Sequence, residues 1–148
     1  MSLFSGLSAF PLTPTDQDGR LKPDTLAWHV ERLVTAGVDS IGLLGSTGSY
    51  AYLTMEARMR TVRVAAEAIG GRVPLIVGVG ALRTDEAAAL ARDAAEAGAD
   101  GVLLAPMSYQ KLTEDEVYQH FKAVAAAGRP RSVSTTTPAQ RISTSVVT

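Results

Sequence analysis

The fold is decided by the stretch Ser40-Ile41-Gly42-Leu43-Leu44-Gly45-Ser46-Thr47-Gly48-Ser49. Its first half is a short apolar run of the kind that forms a strand buried on both faces. Its second half places two hydroxyl residues between glycines, which let a backbone turn sharply and approach a ligand closely. Hydroxyls and free N–H groups there suit a small carboxylate or phosphate. On this spacing alone an ordinary strand-to-helix turn is favoured, because short motifs produce many false positives.

Similar strand-and-helix units extend along the chain on either side. Apolar strand candidates begin near residues 7, 40, 73 and 101, and helical periodicity follows each of them. This period of about thirty residues is the length of a βαβ unit, so a parallel sheet covered by helices is expected. A β/α barrel and an open doubly wound sheet both remain open. In either, ligands bind at the carboxyl ends of the strands, where Ser46 and Thr47 fall, so binding becomes as good an interpretation as a turn.

Local signals predict how the elements begin and end. Thr84, followed by two acidic residues, is expected to cap the third helix with its hydroxyl. Thr113 and Glu116 have the spacing of a capping box at the start of the fourth helix. A weak internal repeat, Ala-Gly-x-Asp at residues 36–39 and 97–100, precedes two of the strands. Its glycine is well placed to end the preceding helix.

The composition fits one globular domain and excludes several functions. The 148 residues are 46% hydrophobic, and a net charge of −1 gives no electrostatic reason to expect binding to nucleic acid or an anionic membrane. The absence of cysteine excludes disulfides and thiolate chemistry. The first residues lack the features of a signal peptide, and no apolar run reaches membrane-spanning length. We therefore expect a soluble cytoplasmic protein.

Metal and dinucleotide sites are not expected. His29 and His120 are far apart and belong to no cluster with metal-ligand spacing, so they are interpreted as ordinary helix-face residues. Residues 78–80, Gly-Val-Gly, lack the third glycine of a dinucleotide-binding fingerprint. Trp28 is interpreted as either a core residue or a subunit contact.

A series of short motifs runs in unbroken order from about Leu7 to Gly128. They are Phe-Pro-Leu-Thr-Pro at 10–14 with Asp-Gly at 18–19, Gly-Ser-Thr-Gly at 45–48, Leu-Thr-Met-Glu at 53–56, Val-Gly-Val-Gly at 77–80, Gly-Ala-Asp-Gly at 98–101 with Pro106, and Tyr-Gln-His-Phe at 118–121. Each motif is weak alone. As an ordered set they resemble the dihydrodipicolinate synthase and N-acetylneuraminate lyase family of Schiff-base aldolases.

That resemblance implies a (β/α)8 barrel, of which this chain supplies about four units. It implies a homo-oligomer that acts on pyruvate or a related 2-oxo acid without a cofactor. A family lysine forms a Schiff base with the keto carbon, and the enamine attacks an aldehyde or forms during cleavage. By this resemblance, Ser46, Thr47 and Gly48 would bind the 2-oxo acid carboxylate. Tyr109 would assist proton relay, often across a subunit contact, or it packs as a loop aromatic on the barrel rim.

The sequence departs from the family pattern at the site. Ser49 stands where the motif commonly has glutamate, and residues 106–109, Pro-Met-Ser-Tyr, replace the usual Pro-Tyr-Tyr. The family lysine belongs near the sixth strand, and none of the lysines present follows a strand: Lys22, Lys111 and Lys122. We therefore expect the chain as written to be inactive. The alternative is a non-catalytic half-barrel that binds a small anion or assembles with a partner chain.

The character of the sequence changes after Gly128. Residues 1–128 are predicted to form the partial barrel, whereas residues 129–148 are rich in Ser and Thr. Ser134 and Thr135 lie near the place where the family has a strand-five tyrosine in a Tyr-Asn-x-Pro-like segment. One interpretation is a disordered polar tail. The favoured one is a shifted reading frame, because codons permitted for residues 130–143 can encode Cys-Val-Tyr-Asp-Asn-Pro in another frame.

Overall fold

The structure, a computed structural model, describes residues 5–128 and the backbone of residues 133–135. Strands and helices alternate along the described chain, in agreement with the predicted βα units. The strands are β1 (Ser8–Ala9), β2 (Ser40–Leu43), β3 (Leu75–Gly78), β4 (Gly101–Leu104) and β5 (Val133–Thr135). The helices are α1 (Pro23–Thr35), α2 (Met55–Ile69), α3 (Thr84–Glu96) and α4 (Glu114–Gly128), and a short 3₁₀ helix (Tyr50–Tyr52) precedes α2.

The strands form one parallel sheet in the order β1-β2-β3-β4-β5. Each new strand is therefore added to the same edge of the sheet. A doubly wound sheet would reverse its strand order at a switch point, whereas a β/α barrel adds strands in sequence. Of the two architectures that the sequence left open, the structure has the barrel type, and the chain forms part of such a barrel.

The core lies between the sheet and its helices. Strand residues two apart point to the same face, and those on the helix-facing side join one buried cluster. The strand members of this cluster are Ile41, Leu43, Leu75, Val77, Val102 and Leu104. β2 is buried at every position, as its apolar run predicted. On the opposite face, a Cβ at Gly42 would overlap the ring of Phe10, so this glycine lets the aromatic ring lie on the strand.

The helices pack in chain order around the sheet, α1 on α2, α2 on α3 and α3 on α4. The predicted small-residue face of α3 is buried, with Ala87, Ala91 and Ala94 almost inaccessible to solvent. A Cβ at Gly128 of α4 would lie 3.0 Å from the carbonyl oxygen of Ala91. Small side chains on both helices therefore let α3 and α4 approach each other closely.

The two predicted helix caps have different outcomes. The capping box is confirmed, because the Thr113 N–H donates to the Glu116 carboxylate at 2.8 Å and the Glu116 N–H donates to the Thr113 hydroxyl at 3.3 Å. The prediction for Thr84 is wrong, because Thr84 is the first residue inside α3 and Arg83 precedes the helix. The Thr84 hydroxyl instead lies 2.9 Å from Nδ1 of His120 on α4. A contact between helices has replaced the local cap.

The described part of the tail is a single strand. β5 runs parallel to β4, with Val133 opposite Val102 and Thr135 opposite Leu104. The predictions of a polar tail and of a shifted reading frame otherwise fall on residues 129–132 and 136–148, which lie outside the described residues. Among the described helices, none combines the length and the apolar character needed to cross a membrane.

Candidate functional site

Two residues with left-handed backbone fix the turn after β2. Leu44 has a φ of 56° and Ser49 a φ of 53°, in a region that residues other than glycine seldom adopt. The expectation that glycines make the sharp turn is corrected, because Gly45 and Gly48 have no positive φ. These glycines lie where a side chain would be crowded. A Cβ would lie 3.0 Å from the Leu44 backbone at Gly48 and 3.2 Å from the Phe10 ring at Gly45.

The turn presents donors that other described residues do not use. Ser46 and Thr47 are exposed, and Gly48 is buried. Within residues 5–128, neither hydroxyl and none of the three N–H groups donates to another protein group. The Ser46 carbonyl accepts the Ser49 N–H at 3.1 Å, which closes the turn. Free donors on a fixed backbone are suited to an anion such as a carboxylate.

The end of β3 lies directly against this turn. A Cβ at Gly78, the last residue of β3, would overlap the carbonyl oxygen of Leu44 and lie 3.3 Å from that of Leu43. Only glycine therefore allows the left-handed segment and the neighbouring strand to lie together. The left-handed conformation of Leu44 costs about 1 kcal/mol, which the surrounding packing must offset.

A buried arginine holds the chain just beyond β3. Arg58 of α2 is 5% exposed and donates from its two Nη atoms to the carbonyls of Gly80 at 2.9 Å and Gly78 at 3.0 Å. Burial lowers the pKa of Arg58 from its ordinary value to about 10, so the guanidinium stays charged at neutral pH. Among the described residues its Nε has no hydrogen-bond partner. The charged donors fix both carbonyls at the carboxyl edge of the sheet.

The ring of Tyr50 covers this arginine from the side of the turn. The guanidinium carbon of Arg58 lies 5.1 Å from the ring centroid, a cation–π contact. The Tyr50 hydroxyl donates to Sδ of Met107, in the loop after β4, at 3.0 Å. A Cβ at Gly80 would lie 3.2 Å from the same hydroxyl oxygen. Tyr50 therefore connects the turn after β2 with the carboxyl ends of β3 and β4.

Sequence reasoning missed both Arg58 and Tyr50, although one signal for Arg58 was available. The apolar stripe of α2 was predicted from Met55, Met59, Val62, Ala66 and Ile69. In the structure Arg58, Thr61, Val62, Ala65 and Ile69 are the buried residues. Arg58 lies three residues after Met55 and four before Val62, so its spacing places a charge within the apolar face.

The structure does not bring the remaining predicted site residue into the turn. Tyr109 lies in the loop after β4 with a side chain that is 96% exposed, and it makes no hydrogen bond or ring contact with another described residue. Lys22, Lys111 and Lys122 are all exposed, and none of these lysines lies at the end of a strand. The lysines within the described residues thus lie outside the turn after β2 and in contact with solvent.

The surroundings of His120 and Trp28 show which of the predicted roles these residues have in the fold. His120 is 8% exposed and lies on the face of α4 that packs against Thr84 of α3. Burial lowers its pKa, and its Nε2 has no partner among the described residues. Trp28 is 56% exposed and therefore is not a core residue here. Where the structure describes the chain, no group of three metal-ligating side chains is present.

Comparison with known proteins identifies the family to which this chain is similar. Residues 3–133 match the profile of the Dihydrodipicolinate synthetase family. A crystal structure described as a dihydrodipicolinate synthase from Agrobacterium tumefaciens strain C58 has 53% sequence identity and a TM-score of 0.87, over 90% of this chain and 44% of that chain. The 4-hydroxy-tetrahydrodipicolinate synthase of Thioalkalivibrio sulfidiphilus is 38% identical over 125 residues, which are 84% of this chain and 42% of that protein.

A third relative was crystallised with a ligand. It is a prophage protein of the dihydrodipicolinic acid synthase family from E. coli K12 in complex with pyruvate, with 31% identity and a TM-score of 0.85 over 90% of this chain and 45% of that chain. The chain thus spans a little under half the length of these three relatives. With a family match across most of its length and the strand order of a partial β/α barrel, the chain belongs to the dihydrodipicolinate synthetase family.

Proposed function

We propose that this chain forms the 2-oxo-acid-binding part of a pyruvate-dependent Schiff-base aldolase or lyase. Ser46, Thr47 and Gly48 would bind the carboxylate of the acid. The observation that carries the proposal is the set of free donors on the rigid turn after β2. This turn lies at the carboxyl ends of parallel strands, where β/α barrels bind their ligands. The pyruvate complex of the relative from E. coli K12 supports the choice of ligand.

The chemistry of this class starts when a lysine amine condenses with the keto group, forming a C=N bond and releasing water. Such a lysine needs a desolvated pocket that makes its amine nucleophilic, whereas Lys22, Lys111 and Lys122 are exposed. We therefore propose that these 148 residues bind the acid but form no Schiff base alone. The reaction needs no cofactor, because the lysine amine itself activates the keto group as a Schiff base. We propose that it takes place in the cytoplasm.

Titration of the ¹⁵N-labelled chain with pyruvate tests the binding site by NMR. We expect the amide signals of Ser46, Thr47 and Gly48 to shift in a saturable way. The double variant Ser46→Ala with Thr47→Val should weaken binding by about tenfold, since each hydrogen bond contributes about 0.5–1.5 kcal/mol. Thr25→Val, which removes an exposed hydroxyl from α1, is the matched control and should bind normally. Equal affinity in the double variant would overturn the site.

Borohydride reduction in the presence of pyruvate tests the chemistry separately. We expect a covalent adduct, detected by intact mass, in the complete natural gene product and none in the 148 residues alone. Binding without an adduct in either protein would favour the alternative, a non-catalytic half-barrel that holds a small anion. An adduct on Lys22, Lys111 or Lys122 would show that the nucleophile is assigned wrongly.

We further propose that copies of the protein assemble and that Tyr109 serves the site of a neighbouring copy. The Tyr109 ring is 96% exposed, and Leu82 and Tyr52 expose further apolar surface at 63% and 91%. Sedimentation of the complete gene product should show an oligomer. Tyr109→Phe should lower the turnover number without changing the oligomer mass, and a monomeric active protein would contradict this role.

A further inference from the structure

The guanidinium of Arg58 is linked to the chain on both sides of the turn after β2. Leu44 comes directly before this turn, and its carbonyl oxygen packs on Gly78, whose own carbonyl accepts a hydrogen bond from Arg58 at 3.0 Å. Tyr50 comes directly after the turn, and its ring centroid lies 5.1 Å from the guanidinium carbon. The backbone of residues 45–49 is therefore anchored at both ends by contacts that meet at one side chain.

These two anchors lie at the residues whose backbone is left-handed. Leu44 has a φ of 56°, and Ser49, with a φ of 53°, is bonded directly to Tyr50. Left-handed backbone at residues other than glycine persists only where the surrounding structure holds it. The turn has one internal backbone hydrogen bond among the described groups, from the Ser49 N–H to the Ser46 carbonyl at 3.1 Å. The contacts at Leu44 and Tyr50 add restraint at both ends of the turn.

Arg58 occupies a position where an apolar side chain would be expected. It is 5% exposed and lies on the buried face of α2. Among the described residues no carboxylate forms an ion pair with it, and its Nε has no hydrogen-bond partner. A buried charge without a counter-charge costs free energy that a packed apolar side chain would avoid. Such departures from the most stable core are typical of residues that serve a functional site.

We propose that Arg58 is a positioning residue that holds the turn after β2 in the shape that binds the carboxylate. It acts through other groups, since it donates to the carbonyls of Gly78 and Gly80 and packs on the ring of Tyr50. None of these contacts uses the donors of the turn. Fixed donors bind a ligand more tightly than mobile ones, because less conformational entropy is lost on binding. The inference rests on the proposed function and adds to it a residue outside the binding turn.

Hydrogen exchange followed by NMR tests the positioning role without any ligand. In the complete natural gene product, Arg58→Met should make the Ser49 amide exchange about tenfold faster, because its hydrogen bond to Ser46 closes the turn. The amides of α3 should keep their exchange rates, which distinguishes a loosened turn from a general loss of stability. Arg60→Met is the matched control, because it removes an exposed arginine from the same helix, and it should leave the Ser49 amide unchanged. Equal acceleration in the turn and in α3 would overturn the inference.

Borohydride trapping at increasing pyruvate concentration tests the consequence for binding. In Arg58→Met the concentration that gives half of the maximal adduct should rise about tenfold, whereas the maximal amount of adduct should not change.

Arg58→Lys separates positioning from charge. It keeps the positive charge but lacks the planar pair of Nη donors, so the half-saturating pyruvate concentration should stay raised. A normal value in Arg58→Lys would show that charge alone matters and would overturn the positioning role, as would a normal value in Arg58→Met. If the unmodified protein forms no adduct, the proposed function fails, and exchange of the Ser49 amide still decides whether Arg58 holds the turn.

Discussion

At the amino ends of the strands, the same pair of hydrogen bonds between an aspartate and a leucine occurs twice. At the carboxyl ends, each turn makes different contacts. Asp39 donates its N–H to the Leu7 carbonyl at 2.9 Å and accepts the Leu7 N–H on its carboxylate at 2.7 Å. Asp100 makes the same pair of bonds with Leu75, at 2.8 Å and 3.0 Å. These aspartates end the two Ala-Gly-x-Asp repeats of the sequence.

The carboxyl ends are built from unlike parts. The left-handed Leu44 lies on Gly78, Arg58 holds two carbonyls, and Tyr50 reaches across to Met107. At the amino ends, the two aspartates link β1 to β2 and β3 to β4 through their N–H groups and carboxylates, at the opposite end of the sheet from the turn. The carboxyl ends instead include the left-handed residues Leu44 and Ser49 and the hydrogen-bond donors of the turn that no other described residue uses. Such features are expected at the end of a barrel where ligands bind. Substitutions at the two ends should therefore differ in what they damage.

The largest expected effect is at the contact between β2 and β3. Gly78→Ala would place a methyl group onto the Leu44 carbonyl oxygen, which is backbone and cannot rotate away. We expect the free energy of unfolding to fall by more than about 3 kcal/mol, measured by urea denaturation. Gly19→Ala is the control, because Gly19 has a φ of 77° and no atom within 4 Å of its Cβ position. It should lose only the strain of about 1 kcal/mol.

An intermediate loss of stability is expected when either aspartate at the amino ends of the strands is replaced. Asp100→Ala leaves the partly buried Leu75 N–H without its carboxylate acceptor and should cost about 1–2 kcal/mol of unfolding free energy. Asp39→Ala removes the equivalent bond to Leu7 at an exposed position and should cost about 0.5 kcal/mol. Both variants should bind pyruvate as the unmodified chain does. Loss of binding in either would show that the two ends are not separate in function.

A smaller, pH-dependent effect is expected where α3 begins. The pKa of His120 is lowered by burial, so below its ordinary value of about 6.5 the unfolded chain takes up this proton more readily than the folded chain. Unfolding free energy should therefore fall as the pH drops from 7.5 through 6.5 towards 5. His120→Gln retains a partner for the Thr84 hydroxyl but cannot titrate in this range. If both proteins lose stability equally on acidification, His120 is not the cause.

The sequence was sufficient for features that depend on local pattern. The βα alternation, the buried β2 run, the Thr113–Glu116 capping box and the close packing of α3 all follow from spacing and small residues. What it missed depends on tertiary partners. Thr84 is a residue type that often caps helices, but its hydroxyl contacts His120 instead. In the turn after β2 the left-handed residues are Leu44 and Ser49, and Gly78 of the neighbouring strand makes room for Leu44. The βα alternation alone left the strand order open, because barrel and doubly wound sheets share it, and only the family resemblance predicted the barrel.

The smallest effect on stability is expected for the hydroxyls of Ser46 and Thr47, the residues whose replacement should weaken pyruvate binding most. Ser46 and Thr47 are exposed and donate no hydrogen bond within residues 5–128, so Ser46→Ala and Thr47→Val should each change the unfolding free energy by less than about 0.5 kcal/mol. The same variants should weaken pyruvate binding. Denaturation and NMR titration of one protein preparation give both quantities. A loss of more than about 1 kcal/mol would mean that these hydroxyls hold the turn together, and reduced binding could then reflect a distorted turn rather than a lost contact.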